Sequence, residues 1–128
     1  MKLLVCGGRD FMDFEYLFAQ LDAIHAATPI TLLIHGGAWG ADTLAGHWAI
    51  MRNVPFKVYE ARWKQHGKAA GSIRNQEMLT EGMPNLVVAF EGGAGTRDMI
   101  QRAMSAGVKV RCFVKEGPKA PAPAVVAP

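Results

Sequence analysis

The chain has 128 residues, of which 50% are hydrophobic and 20% are charged, a composition typical of one globular domain with a single core. No apolar run approaches the roughly 20 residues of a membrane-spanning helix, and the first apolar stretch is too short for a secretion signal, so we expect a cytoplasmic protein. The net charge of +3 is compatible with anionic ligands but too small to indicate nucleic acid by itself.

Residues 2–35 predict a buried strand, an amphipathic helix and a second buried strand. The apolar run at 2–6 ends at the glycine pair Gly7-Gly8, and the run at 30–35 ends at Gly36-Gly37. Asp13 is the predicted N-cap of the helix, because its carboxylate can accept an unpaired backbone N–H. The helix shows apolar residues at three- and four-residue spacing, and these are Phe14, Leu17, Phe18, Leu21 and Ile24.

The remaining residues continue the same alternation. A second helix at 41–51 leads to a short third strand at 56–59. A loop at 60–68 precedes a third helix at 69–81, which Gly82 and Pro84 end. A fourth strand at 85–90, a fourth helix at 96–106 and a fifth strand at 108–114 complete the pattern. On the second helix, one side is expected to carry Leu44, Ala45, Trp48 and Met51.

This alternation, with strands that are apolar on both faces, predicts an α/β three-layer sandwich around a parallel sheet. Right-handed crossovers leave few topologies, and we expect five strands in the order 3-2-1-4-5. One domain would cover residues 1–116, and the Pro/Ala-rich segment 117–128 reads as a flexible tail. Cys6 and Cys112 are expected to be buried, reduced thiols, since their spacing does not suit a metal.

Glycine pairs follow the first, second and fourth predicted strands, and parallel strands bring such loops to one edge of the sheet. We therefore expect all three pairs to contact a ligand, and these pairs are Gly7-Gly8, Gly36-Gly37 and Gly92-Gly93. The segment GGAGT gives the most specific signal of the three loops, because it contains Gly92, Gly93 and Gly95, with Thr96 at the predicted helix start. Unpaired N–H groups and the helix dipole favour an anion there. The segment therefore predicts a phosphate-binding loop, and the alternative is a tight turn without a ligand.

Several polar side chains accompany these loops. Arg9 could pair with a phosphate, or be a solvated charge, and Asp10 could accept from ribose hydroxyls, or cap the next helix. Asp42 either caps the second helix, the interpretation that we favour, or binds a sugar hydroxyl. Arg74 and Asn75 lie together on the third helix, and the basic stretch that ends at Arg74 would either attract an anionic ligand or form a solvated helix face.

Aromatic and histidine residues give weaker signals. Trp39 and Trp48 could each provide a surface on which a base stacks. The spacing of Trp48 from Leu44 and Ala45, however, favours a place in the core for Trp48. His35 is interpreted as structural, because it has no second ligand in register with it. Neither a metal site nor a cofactor is predicted.

Four motifs, GGRDF, HGGAWGAD, AGSIRNQEM and AFEGGAGT, together resemble the YspA/YpsA-related branch of the SLOG superfamily over about residues 2–114. These are small Rossmann-like domains of bacteria and their phages. The resemblance implies a binder or sensor of a nucleotide or nucleotide-derived ligand with a ribose phosphate moiety. The fourth loop would hold the phosphate, Arg9 and Arg74 would neutralise it, and Asp10 and Asn75 would orient the sugar. The resemblance also implies a homo-oligomer, since relatives commonly pair through helices.

The same superfamily includes the Lonely-guy phosphoribohydrolases, which carry a PGGxGTxxE motif and an arginine on a preceding helix. Arg74 matches that arginine, while Glu91 replaces the proline and Met99 replaces the glutamate. The residues that match the phosphate loop are Gly92, Gly93, Gly95 and Thr96. Base release builds positive charge on the ribose carbon, which a carboxylate stabilises and methionine does not.

An N-glycosidic hydrolase acting on nucleoside monophosphates therefore stays open as an alternative, with its carboxylate supplied from elsewhere. Asp98 is expected to point away, because one residue along a helix rotates a side chain by about 100°. Asp10, Asp42 or Glu91 could take that place. Single-stranded nucleic-acid binding, as in the Smf/DprA relatives, is a further alternative that the modest charge argues against.

Overall fold

A computed structural model describes residues 1–114 and contains a five-stranded parallel sheet in the order β3-β2-β1-β4-β5, which confirms the predicted α/β topology. The strands are β1 (Lys2–Cys6), β2 (Leu32–His35), β3 (Phe56–Val58), β4 (Leu86–Phe90) and β5 (Lys109–Phe113). The helices are α1 (Phe14–Ala27), α2 (Ala41–Met51), α3 (Trp63–His66), α4 (Ala70–Thr80) and α5 (Ala94–Ser105). The proposed tail, 117–128, lies outside the described residues.

Two apolar layers cover the sheet because successive strand residues point to opposite faces. Leu3 and Val5 of β1 face a core that α1 and α2 close, whereas Leu4 and Cys6 face a second core closed by α4 and α5. Trp48 of α2 is fully buried in the first core, as predicted. Among residues 1–114, no helix combines the length and apolar character that crossing a membrane requires.

The first helix begins as the sequence predicts. The Asp13 carboxylate accepts from the backbone N–H of Tyr16 at 3.1 Å, which satisfies one of the N–H groups that the first turn leaves unpaired. Leu17 lies in the first core, but Phe14 is largely exposed and meets Phe18 edge to face. Met51 of α2, also expected on an apolar side, is exposed because it lies at the last turn of that helix.

Four predictions about local structure need correction. The segment 60–68 is not only a loop, since it forms α3 and part of a 3-10 turn at Gly67–Ala69. Helix α5 starts at Ala94 rather than at Thr96, with Gly93 as its N-cap. The side chains of β3 are exposed, since β3 is an edge strand, and Cys112 on the other edge strand is only partly buried.

Candidate ligand-binding cleft

An open cleft of about 920 Å³ lies at the carboxyl edge of the sheet, above β1 and β4. The strand order reverses between these two strands, which is where open α/β sheets place their ligands. The loops after β1 and β4, the first turn of α5 and parts of α3 and α4 form its walls. The volume falls within the range of small-molecule sites.

The three glycine loops meet at the backbone of Gly8. Its N–H donates to the carbonyl oxygen of Glu91 in the β4–α5 loop at 2.7 Å. Its own carbonyl oxygen accepts from the N–H of Ala41, at the start of α2, at 3.2 Å. A Cβ on Gly8 would lie 3.0 Å from the Cα of Gly92, so this close approach requires glycine.

Within the predicted phosphate loop, the glycines differ in what surrounds them. Gly92 is packed, because a Cβ there would overlap the hydroxyl of Thr96 and lie 2.7 Å from the Gly8 nitrogen. Gly93 and Gly95, by contrast, would carry a Cβ into open space with no atom within 4 Å. No side chain among residues 1–114 caps α5, so its first turn offers bare N–H groups at the cleft.

The second glycine pair does not line the cleft, although we expected it among the ligand-binding residues. A Cβ on Gly36 would lie 2.8 Å from the guanidinium carbon of Arg74, and one on Gly37 would lie 2.9 Å from a methyl group of Val58. Gly37 also has a φ of 73°, a conformation that suits glycine. The absence of side chains on these two glycines leaves space for Arg74 and Val58. In the β2–α2 region, Ala38 and Asp42 line the cleft instead.

Asp42 does not cap α2, which is the interpretation that we favoured, because Gly40 holds the N-cap position and the helix has no side-chain cap. One carboxylate oxygen accepts from the N–H groups of Gly36 at 3.0 Å and Ala38 at 3.2 Å. The side chain therefore braces the β2–α2 loop. Burial raises the pKa of Asp42 to about 6, against the opposing effects of these bonds and of Arg74.

Arg74 and Asn75 connect the loops rather than projecting freely into the cleft. The Arg74 guanidinium donates to the carbonyl oxygen of Gly36, and its Nε donates to the Asn75 side chain at 3.1 Å. The Asn75 amide donates to the carbonyl oxygen of Gly95 at 3.2 Å and to the Asp98 carboxylate at 3.0 Å. Burial lowers the pKa of Arg74, so desolvation makes its charge costly without an anionic partner.

The loop after β1 brings two exposed side chains to the cleft, Arg9 and Asp10. The Arg9 guanidinium lies over the ring of Trp63, 5.8 Å from its centroid. Since Asp13 caps α1, the alternative in which Asp10 is the cap is wrong. Both residues stay available to a ligand.

Two residues that the sequence analysis did not place in the site line the cleft. Asp98 lies in the wall, contrary to our expectation, and also accepts from Arg102 Nε at 2.9 Å. The expectation took the Met99 position to face the ligand, but Met99 faces the second core, and Asp98, about 100° away around the helix, faces the cleft. Trp63 was missed because one helical turn has no periodic pattern. Met99 is fully buried in the second core, and Trp39 is exposed outside the cleft wall.

Comparison with known proteins identifies a family and a phage relative. The profile of the YspA, cpYpsA-related SLOG family matches residues 1–66. The chain is also similar to the "Gene 61 protein" of Mycobacterium phage D29, with 37% identity over 120 residues, which covers 88% of this chain and 95% of that protein.

Proposed function

Because the chain belongs to the YspA, cpYpsA-related SLOG family, we propose that it binds a nucleotide or nucleotide-derived ligand through a ribose phosphate moiety. The protein would act as a binder or sensor, with the cleft at the carboxyl edge of the sheet as its site. The observation that carries this proposal is the open first turn of α5.

The phosphate would sit at the N-terminus of α5. The N–H groups of Ala94, Gly95 and Thr96 are the first three of the helix and have no carbonyl partner within it. Together with the positive end of the helix dipole, they favour a bound anion. The absence of side chains at Gly93 and Gly95, with open space around both, lets phosphate oxygens approach this backbone closely.

Cations around the cleft support the same assignment. Arg9 and Lys68 are exposed at its wall, and Arg74 lies deeper. Arg74 uses Nε and Nη1 for hydrogen bonds, but its Nη2 has no partner among residues 1–114. That nitrogen could donate to a phosphate oxygen, and a charge-assisted bond of this kind is stronger than a neutral one.

The sugar would form its main hydrogen bonds with Asp10. This carboxylate is exposed in the wall of the cleft and can accept from ribose hydroxyls. Asn75, the other residue expected to orient the sugar, already donates to Gly95 and Asp98 and accepts from Arg74. We therefore assign Asn75 the role of holding the phosphate loop against α4.

The test is ligand binding to the purified full chain. A thermal-shift screen of nucleotides, ribose 5-phosphate, NAD derivatives and ADP-ribose should find a stabilising ligand. At 100 times its dissociation constant, that ligand should stabilise the protein by about 2.7 kcal/mol. Calorimetry on the hit then gives the affinity for comparison between variants.

Gly93→Asp should abolish this affinity while leaving the protein folded. The substitution places a carboxylate at the N-cap of α5, where it would occupy the anion site and satisfy the helix itself. Gly93→Asn is the matched control, since it has the same size and capping ability without the charge. Full affinity in a folded Gly93→Asp protein would show that the phosphate binds elsewhere.

A second candidate function, hydrolysis of the N-glycosidic bond of a nucleoside monophosphate, is favoured by the carboxylates in the cleft wall. Asp98 lies there beside the phosphate loop, one position before the residue that matches the hydrolase glutamate. Asp42, with a pKa raised to about 6, could exchange a proton near neutral pH. Either carboxylate could stabilise positive charge on the ribose carbon.

Incubation with each nucleoside monophosphate, followed by chromatography for the free base, separates the two functions. Base release that Asp98→Asn, Asp42→Asn or Asp10→Asn abolishes would identify a hydrolase and its carboxylate. Tight binding of a nucleotide that is recovered intact would support the binder or sensor.

A further inference from the structure

Trp63 is the one large aromatic side chain among residues 1–114 that both lines the cleft and is about half exposed, at 49%. It opens α3, the single-turn helix that forms the wall beside α4. Exposure alone would not single it out, because Trp39 is 78% exposed and lies outside the cleft wall. The location of Trp63 in the cleft distinguishes it.

The indole of Trp63 lies against a glycine on one side and a cation on another. Its outer edge, Cη2, lies 3.6 Å from the position that a Cβ would take on Gly71 of α4. Arg9, from the β1–α1 loop, places its guanidinium 5.8 Å from the ring centroid. The planar guanidinium of Arg9 therefore already lies over the ring, and within residues 1–114 it forms no hydrogen bond or ion pair.

We propose that Trp63 binds the planar base of the ligand by stacking, on the face of the indole that Arg9 now covers. The inference rests on the proposed function, and it adds that the ligand is a nucleotide carrying its base rather than a bare sugar phosphate. Arg9 is exposed, so it can leave the ring when the base arrives and turn towards the phosphate.

Stacking on an aromatic side chain depends little on which base is present, because every base has a π-face. Trp63 should therefore favour all four nucleoside monophosphates over ribose 5-phosphate, and the larger purines over the pyrimidines. From the usual strength of such contacts, the preference should be roughly 5- to 150-fold in dissociation constant.

The experiment compares AMP, GMP, CMP, UMP and ribose 5-phosphate by calorimetry on the full chain. Trp63→Ala should erase the preference for the nucleotides while leaving the affinity for ribose 5-phosphate unchanged. Trp63→Phe should restore part of the preference, since it keeps a ring. Trp39→Ala is the matched control, an exposed tryptophan outside the cleft wall, and should change nothing.

The outcomes separate this inference from the function on which it rests. If Trp63→Ala binds ribose 5-phosphate normally and keeps the full preference for nucleotides, stacking on Trp63 is wrong and phosphate binding stands. If the wild-type chain binds none of the five compounds, the stacking proposal is wrong, and the proposed function is wrong as well if the wider thermal-shift screen also finds no ligand. Far-UV circular dichroism of each variant verifies that it is folded, which the surface position of Trp63 favours.

Discussion

Two glycine-rich turns of similar sequence, GGAWG at 36–40 and GGAGT at 92–96, differ in what occupies the space beside them. At Gly36, Gly37 and Gly40, a Cβ would meet Arg74, Val58 or the backbone of the β1–α1 loop. At Gly93 and Gly95, a Cβ would meet nothing within 4 Å. The first turn uses glycine to pack protein against protein, whereas the second is packed only at Gly92 and leaves the backbone at Gly93 and Gly95 open to the cleft.

The comparison shows that a glycine pair after a strand does not by itself indicate a ligand. Both turns lie at the same edge of the sheet, and both satisfy the pattern from which we predicted a site. The difference depends on side chains that are distant in sequence, above all Arg74, which fills the space over Gly36 from α4. A side chain added at a packed glycine of the first turn and one added at an open glycine of the second should therefore have opposite effects on stability.

Gly40→Ala should have the largest effect on stability. Gly40 has a φ of 84°, and a Cβ would overlap the Gly8 carbonyl oxygen and lie 2.7 Å from that of Arg9. These neighbours are backbone atoms that cannot rotate away. We expect a loss of at least about 3 kcal/mol in the free energy of unfolding, measured by urea denaturation.

Gly95→Ala is the counterpart in the open turn. Its Cβ would meet open space, and alanine inside a helix is favoured over glycine, so the protein should gain up to about 1 kcal/mol. Equal destabilisation by both alanines would mean that the two turns do not differ as described.

Arg74→Ala should affect both turns, because Arg74 bonds to Gly36 and, through Asn75, supports Gly95. We expect ribose 5-phosphate binding to weaken by about 2 kcal/mol, from the loss of a charged donor. The free energy of unfolding should fall as well, since the Gly36 carbonyl oxygen loses its partner. Arg74→Lys keeps the charge without the planar fork and should recover only part of either loss.

Calorimetry and urea denaturation together check the Arg74 prediction. If the alanine variant loses stability but binds ribose 5-phosphate as well as the wild type does, Arg74 serves the closed turn alone. Unchanged values in both measurements would contradict the bonds described for its guanidinium.

Asp42→Asn should change how stability depends on pH. The folded pKa of about 6 exceeds the ordinary 3.8, so the protonated acid contributes stability that is present below about pH 4 and lost as the pH rises through 6. Relative to the asparagine variant, the wild type should lose on the order of 2 kcal/mol between pH 4 and pH 7. Asparagine can still accept from the N–H groups of Gly36 and Ala38, so the loop stays braced.

The test compares the free energy of unfolding of the wild type with that of Asp42→Asn at each pH, because the titration of His35 changes stability in the opposite direction over the same pH range. Burial lowers the pKa of His35 from 6.5 to about 4, so its contribution is present above about pH 6.5 and lost as the pH falls through 4. Urea denaturation of both proteins at several pH values isolates the Asp42 contribution. A constant difference across this range would show that the Asp42 pKa is not raised.

The sequence predicted the sheet and its order because the signal was periodic and local. Alternating apolar runs and amphipathic stretches identified each strand, and the right-handed crossover rule gave their order. Exposure at Phe14 and Met51 was not predictable, because it depends on where each helix ends relative to the sheet. The short α3 was missed because a single turn is held by its tertiary surroundings.

The candidate site was predictable only in outline. The sequence indicated that the loops after β1 and β4 would meet, and Gly8 does bond to Glu91. It did not indicate that Asp42 would brace its own loop rather than cap α2, since both roles need an acid beside a glycine turn. The motif comparison placed Met99 on the ligand side of α5, but Met99 packs into the second core and Asp98 lies in the cleft wall, an orientation set by tertiary packing rather than by local sequence.

The peptide groups around Gly8 give the rim of the cleft a rigid frame. One carbonyl oxygen and one N–H tie the β1–α1 loop to the two neighbouring loops at once. A ligand meeting a rim already held in shape loses little free energy to ordering it. We therefore expect rapid association, governed by diffusion and by attraction between opposite charges, with no slow closing step before the complex forms.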